Sequence, residues 1–175
     1  MMKKILLSAM MVSATVTVSS IRPVLADSIS ETGSQGSGYQ HYVNSRFGFS
    51  IDVPKSFKAN PPAEERNARS FFDRRNDSVV VWGNYNFTGE TLLSAYREAL
   101  RQHPYATYKA HGKNWYVIAY RETRGGVYEK YFINDQYKNG LIIRYPASRT
   151  KAMKPLCTSI AKSFKPGWTN PDREE

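Results

Sequence analysis

Cysteine is nearly absent from this chain: Cys157 stands alone among 175 residues. No intramolecular disulfide can form, so stability must come from packing. Histidine is scarce too, with only His41, His103 and His111, and no two of them share the i, i+4 spacing of a helical metal pair. Missing as well are G-x-S-x-G, H-E-x-x-H, paired cysteines at metal spacing, a P-loop and a dinucleotide fingerprint. These absences remove the common hydrolase, metalloprotease and nucleotide-binding readings. No catalytic, metal or cofactor-binding residue is assigned, and a non-enzymatic protein is expected. Acidic residues are also in deficit, 15 Asp and Glu against 25 Lys and Arg, for a formal charge of +10.

What is present begins with a compartment signal. Lys3 and Lys4 precede an apolar run from Ile5 that ends in Val24-Leu25-Ala26, the order of a secretory signal peptide. Six serines and threonines interrupt that run, which makes it too polar for a membrane span of about 20 apolar residues. Cleavage is expected between Ala26 and Asp27, giving a periplasmic or secreted protein without a transmembrane segment. Loss of Lys3, Lys4 and Arg22 would leave a charge of about +7. A basic exported protein meets anionic lipid headgroups, wall polymers and acidic proteins, whereas nucleic acid is hardly accessible there.

The remaining length suits one domain. Residues 27–38, rich in Ser and Gly, read as a flexible leader; residues 39–167 read as the globular domain; residues 168–175 read as a flexible tail from which Trp168 could fold back. In YVNSRFGFSIDVP, Phe47, Phe49, Ile51 and Val53 alternate with Gly48, Ser50 and Asp52, the period of a half-buried strand stopped by Pro54. With residues 39–43 and an Asn44-Ser45-Arg46 turn, it predicts a hairpin. RSFFD and SVVVWGNY predict a second. Leu92, Leu93, Ala95, Tyr96, Ala99 and Leu100 have helical spacing, with Thr88 as expected cap, Glu90 in the first turn and Arg97 and Arg101 near the end. Four strands should follow, in TYKAH, NWYVIAYR, GVYEKYFI and GLIIRY.

A last helix is expected over 148–163, where Met153, Leu156, Cys157, Ile160 and Phe164 form one apolar face and make Cys157 a structural thiol. Trp115, Val117 and Ala119 alternate with Tyr116, Ile118 and Tyr120, so that strand is apolar on both faces and must be covered twice. The expected fold is α+β: an antiparallel sheet of about six to eight strands with helices on both faces, a three-layer sandwich.

This order of elements, with Phe47-Gly48-Phe49, Val53-Pro54 and Phe57, Ile143-Arg144-Tyr145-Pro146 and Ser163-Phe164, resembles the PsbP-like fold family across roughly residues 40–167. That family includes extrinsic photosystem II subunits. Within it the chain looks closest to uncharacterised exported proteobacterial proteins and more distantly similar to DcrB-like envelope proteins. The resemblance implies a binding or assembly module and carries no ligand set, because its motifs are structural.

Two basic features stand out as candidate anion- or partner-binding sites. Arg66, Arg69, Arg74 and Arg75 flank SFF and can offer guanidiniums to carboxylates or phosphates. Arg144, Arg149 and Lys151 surround the start of the last helix, where cations oppose the helix dipole and call for an offsetting partner. Solvated hairpin rims and exposed helix starts are the plain alternatives. A third feature is the aromatic content, 12 Tyr and 3 Trp, from which Tyr105, Tyr108, Tyr128 and Tyr137 could form a platform. The leading expectation is a module that engages an envelope protein; the alternatives are a binder of an anionic polymer or glycan, an immunity protein against an exported toxin, or an unrecognised hydrolase. Oligomeric state is not legible.

Overall fold

The computed structural model describes residues 27–30, 36 and 38–169. The expected signal peptide and most of the expected tail lie outside them. Within the stretch read as a leader, Ser28–Ser30 form a short strand, β1. There follow β2 (Tyr39–Val43), β3 (Ser50–Pro54), β4 (Lys58–Ala59), β5 (Ala68–Phe72), β6 (Ser78–Tyr85), α1 (Leu92–Gln102), β7 (Tyr108–His111), β8 (Trp115–Glu122), β9 (Gly125–Ile133), β10 (Tyr137–Pro146) and α2 (Thr150–Ser163). Among the described residues no helix is long and apolar enough to cross a membrane.

Seven strands make one antiparallel sheet in the order β4-β5-β6-β10-β9-β8-β7. The order follows from connectivity. The turns between β7 and β10 allow only hairpin steps, so the four strands fold back as a meander and lay β10 against β6. α1 must then carry the chain from β6 to the far edge, and it crosses one face of the sheet on the way. Its N-cap is Thr91, which exchanges hydrogen bonds with Ser94 in a capping box. Thr88, the expected cap, lies three residues too early because Asn86 accepts from Glu90 N and donates to Glu90 O, holding 86–90 as a closed loop. Glu90 therefore precedes the helix and meets Lys138 at 3.1 Å.

The first hairpin departs from expectation. β2 and β3 do not extend the large sheet; with β1 they form a separate three-stranded sheet. Its connection runs over 44–49, longer than the expected turn, because Asn44 Oδ1 accepts from the backbone of Arg46 and Phe47 and keeps the chain curled until Phe49. The apolar side of the hairpin is flat against the large sheet: Tyr42, Phe47, Phe49, Ile51 and Val53 share one buried cluster with Phe71, Val79, Val81, Leu141 and Ile143. Laying that side on the sheet removes from water both apolar surfaces, which edge pairing would not do.

α2 lies beside β3 and completes the same layer. Met153, Cys157, Ile160 and Ala161 face the core, and Ser163 Oγ accepts from Asp52 N at 2.9 Å. Asp52, expected on a solvated face, is consequently buried and sits 2.6 Å from His41 Nδ1 across the hairpin. Burial pushes the Cys157 thiol up to about 12, which suits an inert core residue. After α2 the chain bridges back to Ser50 through Lys165, and Gly167 presses against the Phe47 carbonyl where a Cβ would clash. Trp168 stacks on Tyr137 and meets Phe132 edge-on, so the segment read as tail joins the domain at its first residue.

The opposite face holds a second cluster: Ala95 and Tyr96 of α1 on Tyr116, Ile118, Tyr120, Val127 and Ile133. The two-faced alternation of β8 is thus realised, and the layers are α1, large sheet, then small sheet with α2.

Two expected outcomes test this arrangement. Phe49, fully buried between Tyr42 and Phe164, should cost about 3–5 kcal/mol on replacement by Ala, read from urea unfolding. Lys130 donates to Ala161 O at 2.7 Å, and burial, reinforced by Lys165, pushes its pKa down from 10.5 to about 8. The folded state releases that proton near pH 8 while the unfolded chain keeps it until about 10.5, so Lys130 makes stability rise with pH across that window. Cys157 opposes this only above its ordinary value of 9.0. Between pH 8 and 9 the urea midpoint of Lys130→Met should rise less with pH than that of the parent.

Candidate functional site

The β5–β6 connection is a tight acidic-basic turn. Asp73 Oδ1 accepts from Arg75 N and Asp77 N, and Asn76 takes a left-handed φ of 64°, a conformation that Asn tolerates. The curl turns Arg74 and Arg75 into solvent and sends the Asp77 side chain inward. There Asp77, fully buried, receives two hydrogen bonds from Arg149 at 2.7 and 3.1 Å. Asp77 holds the Arg149 guanidinium charged above its ordinary range, chiefly through the hydrogen bonds.

This pair supplies what the start of α2 otherwise lacks. No acidic residue occupies the first turn of the helix and its N-cap, Arg149, makes no side-chain cap. A carboxylate delivered from another element offsets both the helix dipole and the cation.

Arg149 thereby joins the two basic features that are far apart in sequence. Lys55, Lys58, Phe72, Arg74, Arg75, Arg149 and Leu156 line one open groove of about 620 Å³ between β4, the β5–β6 turn and α2. A second hollow of about 360 Å³, which shares Arg75, Arg149 and Leu156, continues it along α2 past Pro155 to Tyr39. The side chains of Lys58, Arg74 and Arg75 are exposed and make no hydrogen bond or ion pair among the described residues. Phe72 stands among them at 43% exposure. The groove thus offers three available cations around an apolar anchor point, with Arg149 as a fixed wall.

The other expected site residues do not join. Arg66, at a left-handed φ of 51°, and Arg69 line a separate hollow of about 400 Å³ with Asp27, Ile29 and Pro62. Arg69 lies over the Tyr42 ring at 5.9 Å, and its Nε is buried without a hydrogen bond among the described residues. Arg144 belongs to the opposite face of the sheet: Leu141 and Ile143 of β10 point to the α2 side, so Arg144 points to the α1 side. Lys151 is exposed on α2 outside the groove. The expected cluster at the helix start is therefore split, because strand alternation and the 3-10 turn over Ala147–Arg149 separate three residues close in sequence.

The tyrosine platform is divided as well. Tyr105 and Tyr108 are exposed near the β7 edge, while Tyr128 and Tyr137 are half-buried against the larger core. The histidines have packing partners: His41 with Asp52, His103 stacked on Tyr120 and His111 beside Tyr96. Lys55, Lys58 and Phe72 were not singled out from the sequence. Their only signal was position at the ends of short strands, which does not say what they face.

Removing one member of the buried ion pair leaves the other without its counter-charge. Arg149→Ala should lower the thermal midpoint more than the double change Asp77→Leu with Arg149→Met, as measured by circular-dichroism melting.

No family model and no curated protein matches the sequence. Nine solved chains match the structure. Among them is the solution structure of cyanobacterial PsbP (CyanoP) from Synechocystis sp. PCC 6803, which aligns with a TM-score of 0.58 at 15% identity over 77% of this chain and 96% of that one. A likeness at this identity speaks to architecture alone. The chain has a PsbP-like α+β fold.

Proposed function

We propose that the protein is a non-enzymatic binding or assembly module of the cell envelope, exported through its N-terminal segment, which engages a protein partner at the groove beside the β5–β6 turn. The observation that carries this reading is the convergence of Lys58, Arg74 and Arg75 around half-exposed Phe72. Cations that share a groove with an exposed aromatic suit an acidic segment with an apolar side chain: the charges steer approach and the apolar contact holds the complex. The PsbP-like architecture supports a module role. The similarity to exported proteobacterial and DcrB-like envelope proteins read in the sequence motifs supports the compartment.

An anionic polymer would use the same cations without needing Phe72. A photo-crosslinking residue placed at position 72 of the tagged protein in cells separates the two. The expected outcome is one dominant protein adduct that disappears when Arg74 and Arg75 are both Ala. With the partner in hand, that double change should weaken affinity about two- to thirtyfold, as two exposed charge contacts allow. Polyanions bound interchangeably, or an adduct indifferent to the double change, would overturn the reading.

A further inference from the structure

The face of the sheet opposite the groove carries a cleft of different chemistry. It lies between α1 and the large sheet and encloses about 190 Å³. Its floor is aromatic. Trp82 of β6 lies across Gly140, where a Cβ would strike the indole, and meets Tyr131 of β9 edge-on at 5.9 Å. Tyr131 stacks on Tyr116 of β8 at 4.9 Å. The roof is low in bulk because α1 presents Ala95 and Ala99, one turn apart, to the cleft.

Glu129 sits in this aromatic floor. Its two oxygens accept one hydrogen bond each, from Tyr120 OH at 2.8 Å and Tyr131 OH at 2.9 Å. The two other carboxylates at the rim have cations: Glu90 meets Lys138 at 3.1 Å and Glu98 meets Arg101 at 2.6 Å. Glu129 has none among the described residues, and the His103 ring on the cleft wall is stacked face to face on Tyr120. Burial first, and the charge of Glu129 second, push the Tyr116 and Tyr131 hydroxyls well above their ordinary range.

A carboxylate held by two tyrosine hydroxyls, without a counter-ion and among π faces, is the complement of an organic cation. Aromatic faces attract ammonium and guanidinium groups, a carboxylate in a weakly polar site is costly until a charge joins it, and a short alkyl chain fills the space left by two alanines. We infer that the cleft between α1 and the sheet binds an alkylammonium or guanidinium group, as a free amine or as the Lys or Arg side chain of a bound protein. The site is independent of the basic groove and takes ligands of opposite charge on the opposite face.

Calorimetric titration with n-butylammonium tests the inference, with n-butanol and butyrate as neutral and anionic isosteres. One saturable site for the ammonium is expected, with neither isostere binding. Glu129→Gln should weaken it by about tenfold or more, and Ala99→Leu should block it by filling the roof. Arg74→Ala with Arg75→Ala should leave it unchanged, which keeps this test separate from that of the groove. If Glu129→Gln does not fold by circular dichroism, Ala99→Leu decides. A capped lysine peptide that binds as well as the free amine assigns the site to a partner side chain; preference for the amine assigns it to a small molecule. Absence of ammonium binding, equal binding by folded Glu129→Gln, or equal binding of n-butanol would overturn the inference.

Discussion

A sheet that is apolar on both faces cannot stand in water with one side bare, and this requirement governs the whole molecule. β8 shows it most plainly, with Tyr116, Ile118 and Tyr120 on one side and Trp115 and Val117 on the other. The chain meets the requirement unequally. One side receives a complete layer, a small sheet laid edge to edge with α2 and joined to it through Ser50 and Lys165. The other receives only α1, whose eleven residues cover the β8 side and leave Val80, Trp82 and Ile142 on the same face half-buried. The aromatic cleft is a direct result of that shortfall, since it opens where the helix runs out over the sheet.

The opposite layer generates the basic groove for a related reason. Two elements that are not neighbours in sequence, the β5–β6 turn and the start of α2, have to be held at a common height above the sheet. Asp77 and Arg149 do this with a buried ion pair. Such a pair contributes modestly to net stability after desolvation, yet it fixes position, because neither charge can leave without the other. The exposed arginines of the turn are oriented by the same bond that seats the helix.

Much of the architecture was legible in local pattern. Period-two alternation in 115–120 disclosed a strand covered twice, the spacing of Met153, Cys157 and Ile160 disclosed the α2 face, and short polar breaks disclosed the meander. What escaped depended on contacts across long sequence separations. An alternating hairpin looks the same whether it pairs at an edge or lies flat, so the second sheet was not visible, nor was the burial of Asp52 beneath Ser163. Thr88 reads as the cap until Asn86 is seen to close the loop that follows it. At the candidate sites, Arg149 carried a readable signal, a cation at the wrong end of a helix. Arg144 and Lys151 carried the same signal by proximity alone: strand alternation sent Arg144 to the other face, and Lys151 is exposed on α2 outside the groove. Glu129 was not singled out in VYEKYF: Tyr131 two residues on shares its face, but Tyr120 on β8 and the helix above are brought to it only by the fold.

The contact between Asp52 and Ser163 spans 111 residues, and it sets the order in which this domain can come into being. Tyr42, Phe49 and Ile51 are made early and lie on the large sheet, yet the helix and the Lys165 bridge that complete their layer are nearly the last structure made. Until then that layer is open beside β3, and closing it depends on contacts of large sequence separation, the kind that slows folding. A chain interrupted before residue 150 would retain every described strand and the cluster under α1, and still lack half of its opposite layer.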